Sequence, residues 1–108
     1  MLKSDPIPPP LGGDPRTTIV LVSAEIERLL DLPTCMAAVE QAFVAHAEGR
    51  TFGPAVLGIH VPGGGFHVKA AGTSAPQARF VAKLNANFPG NGSRFGLPTI
   101  QGVVVLSD

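Results

Sequence analysis

The first apolar run, Thr17 to Val22, is rich in β-branched residues and predicts a strand. Ser23 follows in a position to cap a helix, and Glu25 and Glu27 then fall in its first turn, near the positive end of the dipole. Asp31-Leu32-Pro33 breaks this short helix, and Pro33 suits the first turn of a second one that runs to Gly49, a C-terminal stop. Met36, Val39, Phe43, Val44 and Ala47 recur at the spacing of one helical stripe, which predicts a buried face on that second helix.

After Gly53-Pro54 the period changes from helical to extended. Val56 to Val61 and Phe66 to Ala71 read as a β-hairpin joined by a long glycine loop, Pro62-Gly63-Gly64-Gly65. Arg79 to Phe88 and Thr99 to Leu106 supply two more strands, separated by the turn-rich stretch Pro89-Gly90-Asn91-Gly92-Ser93. The predicted order is β-α-α-β-β-β-β, an α+β fold. Strand side chains alternate between faces, so Phe80, Ala82, Leu84, Ala86 and Phe88 form an apolar face that should pack on a core. Arg79, Val81, Lys83, Asn85 and Asn87 form the opposite face, which is either solvated or lines a polar cleft.

Residues 1–16 hold five of the eleven prolines and lack apolar periodicity, so they read as a flexible or polyproline-like tail before a domain spanning 17–108. The 108 residues suit one small domain. Eight basic residues balance eight acidic ones, which gives no electrostatic footprint for nucleic acid or an anionic membrane. No apolar run reaches the roughly 18 residues that span a bilayer, and the expected setting is soluble and cytoplasmic. A lone Cys35 provides neither a disulfide framework nor a cysteine-based zinc site.

The candidate chemistry is sparse. Gly63-Gly64-Gly65 precedes a strand, whereas phosphate loops need a helix N-terminus aimed at the anion, and no GxGxxG or Walker pattern occurs. Lys83, between apolar neighbours and amides, is either a solvated sheet lysine or a group that binds a carboxylate or moves a proton. Lys69, between Val68 and Ala70, has the same two readings. His60 and His67 would ligate a metal only if they converged with a third ligand, and no metal site is expected. His46 reads as a surface residue.

Three segments go beyond these generic signals: Phe66-His67-Val68-Lys69-Ala70-Ala71-Gly72, then Phe80 to Asn91 with its KxNxxFPGN pattern, then Gly96-Leu97-Pro98-Thr99-Ile100-Gln101-Gly102. Together they resemble the ornithine cyclodeaminase and mu-crystallin family, over about residues 17–108. The resemblance implies a substrate and dimerisation domain completed by later chain, and a separate Rossmann domain that binds NAD or NADP. It implies hydride exchange at the α-carbon of an amino or imino acid, a small amino-acid or imino-acid substrate, and a homodimer. Lys83 matches the family's substrate-binding lysine and is the expected catalytic residue. Thr99 matches a threonine that approaches the dinucleotide, and Lys69 lies in a pocket-lining segment and is expected to bind substrate.

Two departures stand out. Many members carry an arginine after the proline that precedes the first hairpin strand, where it grips the substrate carboxylate, but here Pro54 is followed by Ala55. The sequence also ends at Asp108 without a Rossmann segment. The expectation is an N-terminal part of an NAD(P)-dependent amino-acid oxidoreductase or cyclodeaminase-like enzyme, inactive by itself. The alternative is a non-catalytic ligand-binding or dimerisation module resembling mu-crystallin.

Overall fold

The computed structural model describes residues 18–108; the expected N-terminal tail lies outside them. The chain forms two compact units, one ending at Met36 and one running from Ala37 to Asp108.

In the first unit the predicted strand does not form. Thr18 to Val22 have no ladder partner, and Ile19 and Val20 are exposed. A β-branched run becomes a strand only where another strand meets its backbone groups, and propensity alone does not supply one. Helix α1 (Ser23–Leu29) starts at its expected cap, one residue earlier than predicted. Val22, not Ser23, stands at the N-cap with extended φ −92° and ψ 163°, and the Glu25 carboxylate accepts the Val22 backbone N–H at 2.9 Å. The returning glutamate therefore replaces the hydroxyl as the capping group.

Helix α2 (Leu32–Ala47) begins at Asp31, whose Oδ1 accepts the Thr34 N–H at 2.8 Å. Hydrogen bonds from Thr34, its hydroxyl first and its backbone N–H second, hold the Asp31 carboxyl below the usual carboxylate range. At the other end Gly49 (φ 71°) stops the helix, and the Arg50 N–H returns to the Ala45 carbonyl at 2.9 Å. The apolar stripe of α2 is not buried as its spacing predicts. Phe43 is 72% exposed, Met36, Val39 and Val44 are also exposed, and Ala45 is the one buried apolar side chain among the described residues. Periodicity reports which residues share a face, and burial requires a second surface against that face.

The second unit carries a four-stranded antiparallel sheet in the order β1-β2-β3-β4: β1 (Thr51–Val61), β2 (Gly64–Thr73), β3 (Arg79–Asn87) and β4 (Ile100–Ser107). The expected long glycine loop is a two-residue turn, Pro62-Gly63. Val61 pairs with Gly64 and His60 with Gly65, so two of the glycines belong to the ladder. Proline presets φ at the first turn position, and Gly63 takes the positive φ of 85° required at the second. Strand β1 also begins earlier than expected, at Thr51, because a register shift between Phe52 and Ala55 absorbs Gly53-Pro54 as a bulge. The turn-rich stretch after β3 holds a short helix, α3 (Asn91–Phe95), stopped by Gly96 at φ 65°. Overall the fold is α+β, with no Rossmann unit among the described residues.

The registers sort the strand residues onto two faces. One carries Phe52, Leu57, Ile59, Phe66, Val68, Phe80, Leu84, Val103 and Val105. Phe52 and Phe80 stack across Gly72, the residue between them in the ladder, with ring centroids 6.5 Å apart and planes 6° from parallel. A Cβ on Gly72 would overlap the Phe52 ring and the Arg79 carbonyl, so the aromatic pair needs glycine there. The apolar face is not buried as expected: Leu84 is 47% exposed and Val103 57%.

Candidate functional site

The opposite face holds most of the candidate chemistry. Lys69 of β2 and Lys83 of β3 are direct cross-strand partners, which places their Cβ atoms about 5 Å apart on one face. Val56 and Val104 complete that row on the two outer strands. In the next row His67 pairs with Asn85, flanked by Gly58 and Gly102. One row further, His60, Gly65, Asn87 and Ile100 align. The two central strands therefore present a lysine pair, then an imidazole and an amide, between aliphatic side chains at one end and side-chain-free glycines at the other.

Parity on β3 assigns Lys83 to the polar face. It cannot assign Lys69, because whether β2 faces the same way depends on its register with β3. The ladder supplies that register and brings the two expected substrate-binding lysines together. Neither makes a hydrogen bond or an ion pair among the described residues, where the ion pair present joins Arg50 Nη2 to Glu48 Oε2 at 2.5 Å.

The overall charge balance hides a sharp partition. From Thr51 to Ser107 the chain contains Lys69, Arg79, Lys83 and Arg94 and no aspartate or glutamate. Seven of the eight acidic residues precede Thr51, and the eighth is Asp108. The sheet thus lacks any carboxylate of its own to neutralise the lysine pair, a signal that net charge averages away.

His60 and His67 meet edge to face, ring centroids 6.3 Å apart. No group of three or more His, Cys, Asp or Glu side chains placed to hold a metal occurs among the described residues. His46 is exposed and bonds to the Thr51 hydroxyl at 2.8 Å. Asn87, a member of the polar face, has its Oδ1 buried without a hydrogen-bond partner among the described residues.

Thr99 is not gathered with the lysines. It precedes β4, is exposed, and its carbonyl accepts the Phe88 N–H at 2.9 Å. That position is five residues along β3 from Lys83, about 17 Å.

A search of the solved structures finds a similar fold in a known enzyme. The chain is similar to an archaeal alanine dehydrogenase. The match, to a dimer with bound NAD, has a TM-score of 0.71 and 27% identity, and covers 80% of this chain. The chain spans 26% of the length of that dehydrogenase. No family model and no curated protein matches.

The described residues do not themselves form a dinucleotide site. All four strands are antiparallel, and the glycine-containing turn after β1 leads into a strand and not into a helix whose N-terminus would receive a pyrophosphate. No step involving hydride can be derived from these residues. What the lysine face can do is hold an anion: two ammonium groups provide point charges with rotatable donors, and the amides beside them provide both donors and acceptors.

Proposed function

We propose that this chain is the substrate-facing part of an NAD-dependent amino-acid or imino-acid oxidoreductase of the ornithine cyclodeaminase and mu-crystallin type. The observation that carries the reading is the pairing of Lys69 with Lys83 on the polar face of a sheet shared with an NAD-bound alanine dehydrogenase. Lys83 and Lys69 bind the substrate carboxylate, taking the part of the arginine that Ala55 does not supply. Lys83 is also the group next to the reacting carbon, and Thr99 approaches the dinucleotide, NAD or NADP, when it is held by a Rossmann domain. Residues 17–108 form an incomplete substrate-binding and dimerisation domain in this reading, inactive by itself.

The test is Lys83→Ala in the natural gene product that carries this sequence. The expected result is a fall in kcat/KM of about 100-fold for oxidation of the preferred amino acid, equivalent to about 2.7 kcal/mol of lost transition-state stabilisation, with the thermal midpoint not lowered. An unchanged kcat/KM would remove Lys83 from the site.

A second reading is favoured by the opposite face. Its exposed phenylalanine, leucine and valine side chains, and the uncharged edge strand β4, suit association with a second copy of the chain. The same surface in a non-catalytic module would serve ligand binding and dimerisation alone. Detectable turnover of any amino acid with NAD by the natural gene product would exclude that second reading.

A further inference from the structure

We infer that the lysine face takes a ligand with two negative charges, an amino or imino dicarboxylate, in preference to a monocarboxylate amino acid. The inference rests on the proposed role of this face as the substrate site and names the substrate class. Three observations converge on it.

The first is the pairing itself. Lys69 and Lys83 stand directly opposite one another on the two central strands, an arrangement of like charges that destabilises a bare sheet. A single carboxylate between two ammonium groups leaves one positive charge in excess, whereas a dicarboxylate matches both. The second is the missing counter-charge. No aspartate or glutamate occurs between Thr51 and Ser107, so the sheet offers the lysines no internal partner, and Arg79 adds a further cation to the same face at the Thr73 row. The third is the surroundings. Val56 and Val104 flank the pair in its own row, so the only charged groups in that row are the two exposed ammonium groups. One row along, Gly58 and Gly102 flank His67 and Asn85, and a Cβ on Gly102 would overlap the Leu84 carbonyl and crowd Asn85. Asn85 there supplies an amide acceptor for the N–H groups of an amino or imino nitrogen. Charge at the lysine row and an acceptor beyond it describe an anion-rich end and a nitrogen-bearing end of one small molecule.

L-glutamate and L-glutamine make the decisive pair, since they differ by one charge at nearly constant shape. Lysine side-chain NMR and calorimetric titrations of the chain at fixed ionic strength should give a dissociation constant about tenfold lower for glutamate. Lys69→Met and Lys83→Met should each remove most of that preference. If a variant fails to fold, competition by glutamate and glutamine against turnover in the natural gene product gives the same ratio without it. Equal binding of the two ligands through the lysines overturns the dianion inference and leaves the substrate-site reading standing. Binding of neither ligand, or binding indifferent to both lysines, overturns the two together. Inorganic pyrophosphate bound more tightly than glutamate would instead assign the pair to a phosphate ligand and overturn the proposed substrate class.

Discussion

The two faces of the sheet are built from alternate residues of the same strands, yet they differ in almost every physical respect. One is a continuous field of phenylalanine, leucine, isoleucine, valine and alanine, with two aromatic rings stacked over a glycine. The other centres on two opposed lysines, two histidines and two amides, rimmed by valines and glycines. The first has the character of a surface that another protein surface covers, because apolar area of this extent gains free energy from leaving water. The second sets two like charges directly opposite one another with no ion pair among the described residues, an arrangement that costs stability in the bare sheet. Recognition by area and recognition by charge are thus separated by the thickness of one sheet.

That separation can be attacked from either side. The largest expected effect is on the apolar face. Gly72→Val should cost about 3 kcal/mol, since its side chain has to displace the Phe52 ring and press on the Arg79 carbonyl. Urea unfolding monitored by circular dichroism measures this, and a midpoint equal to that of the parent chain would mean the stacked pair is not a structural constraint.

Next in size, Leu84→Glu places a charge in the middle of the same face. Its expected result is a weaker homodimer by about 2 kcal/mol in sedimentation equilibrium, with the lysine face unaffected. A dimer constant that did not move would assign association to another surface.

On the polar face the sign reverses. Lys69→Met removes one of two opposed positive charges and should stabilise the chain by about 0.2–1 kcal/mol while weakening anion binding. Stability and binding moving in opposite directions identify a functional pair. A substitution that left binding intact would identify Lys69 as a solvated strand residue.

The smallest effect lies outside the sheet. Asp31 has its carboxyl held low by Thr34, so the start of α2 gains stability above the ordinary carboxylate pKa and loses it as pH falls through the lower folded value. The Thr34 amide resonance should titrate with a midpoint below the ordinary carboxylate pKa, and Asp31→Asn should flatten that curve without touching either sheet face. A titration that survives the substitution would point to another carboxyl.

Much of this was legible before any coordinates. Alternation from Phe80 to Phe88 separated the two faces of β3, and the same alternation singled out Lys83. The segments from Phe66 to Gly72 and from Gly96 to Gly102 pointed to the fold found in the dehydrogenase. The structure added what depends on pairing between distant residues. Lys69 could be assigned to the face of Lys83 only once β2 was laid against β3, and sequence spacing within one strand says nothing about register between two. The strand expected at Thr17 to Val22 failed for a related reason, since a strand is a property of a pair. The stripe on α2 was correctly spaced, but spacing does not provide a surface to bury it. Net charge concealed the acid-free sheet because the acids cluster before Thr51.

The Pro62-Gly63 turn gives the domain its least negotiable dimension. Only two residues separate Val61 from its ladder partner Gly64. An insertion or deletion of a single codon there would slip β1 past β2 by one position and send every following side chain to the wrong side. Relatives of this protein are therefore expected to keep the length of this hairpin, and a library of turn variants would recover substitutions more readily than indels.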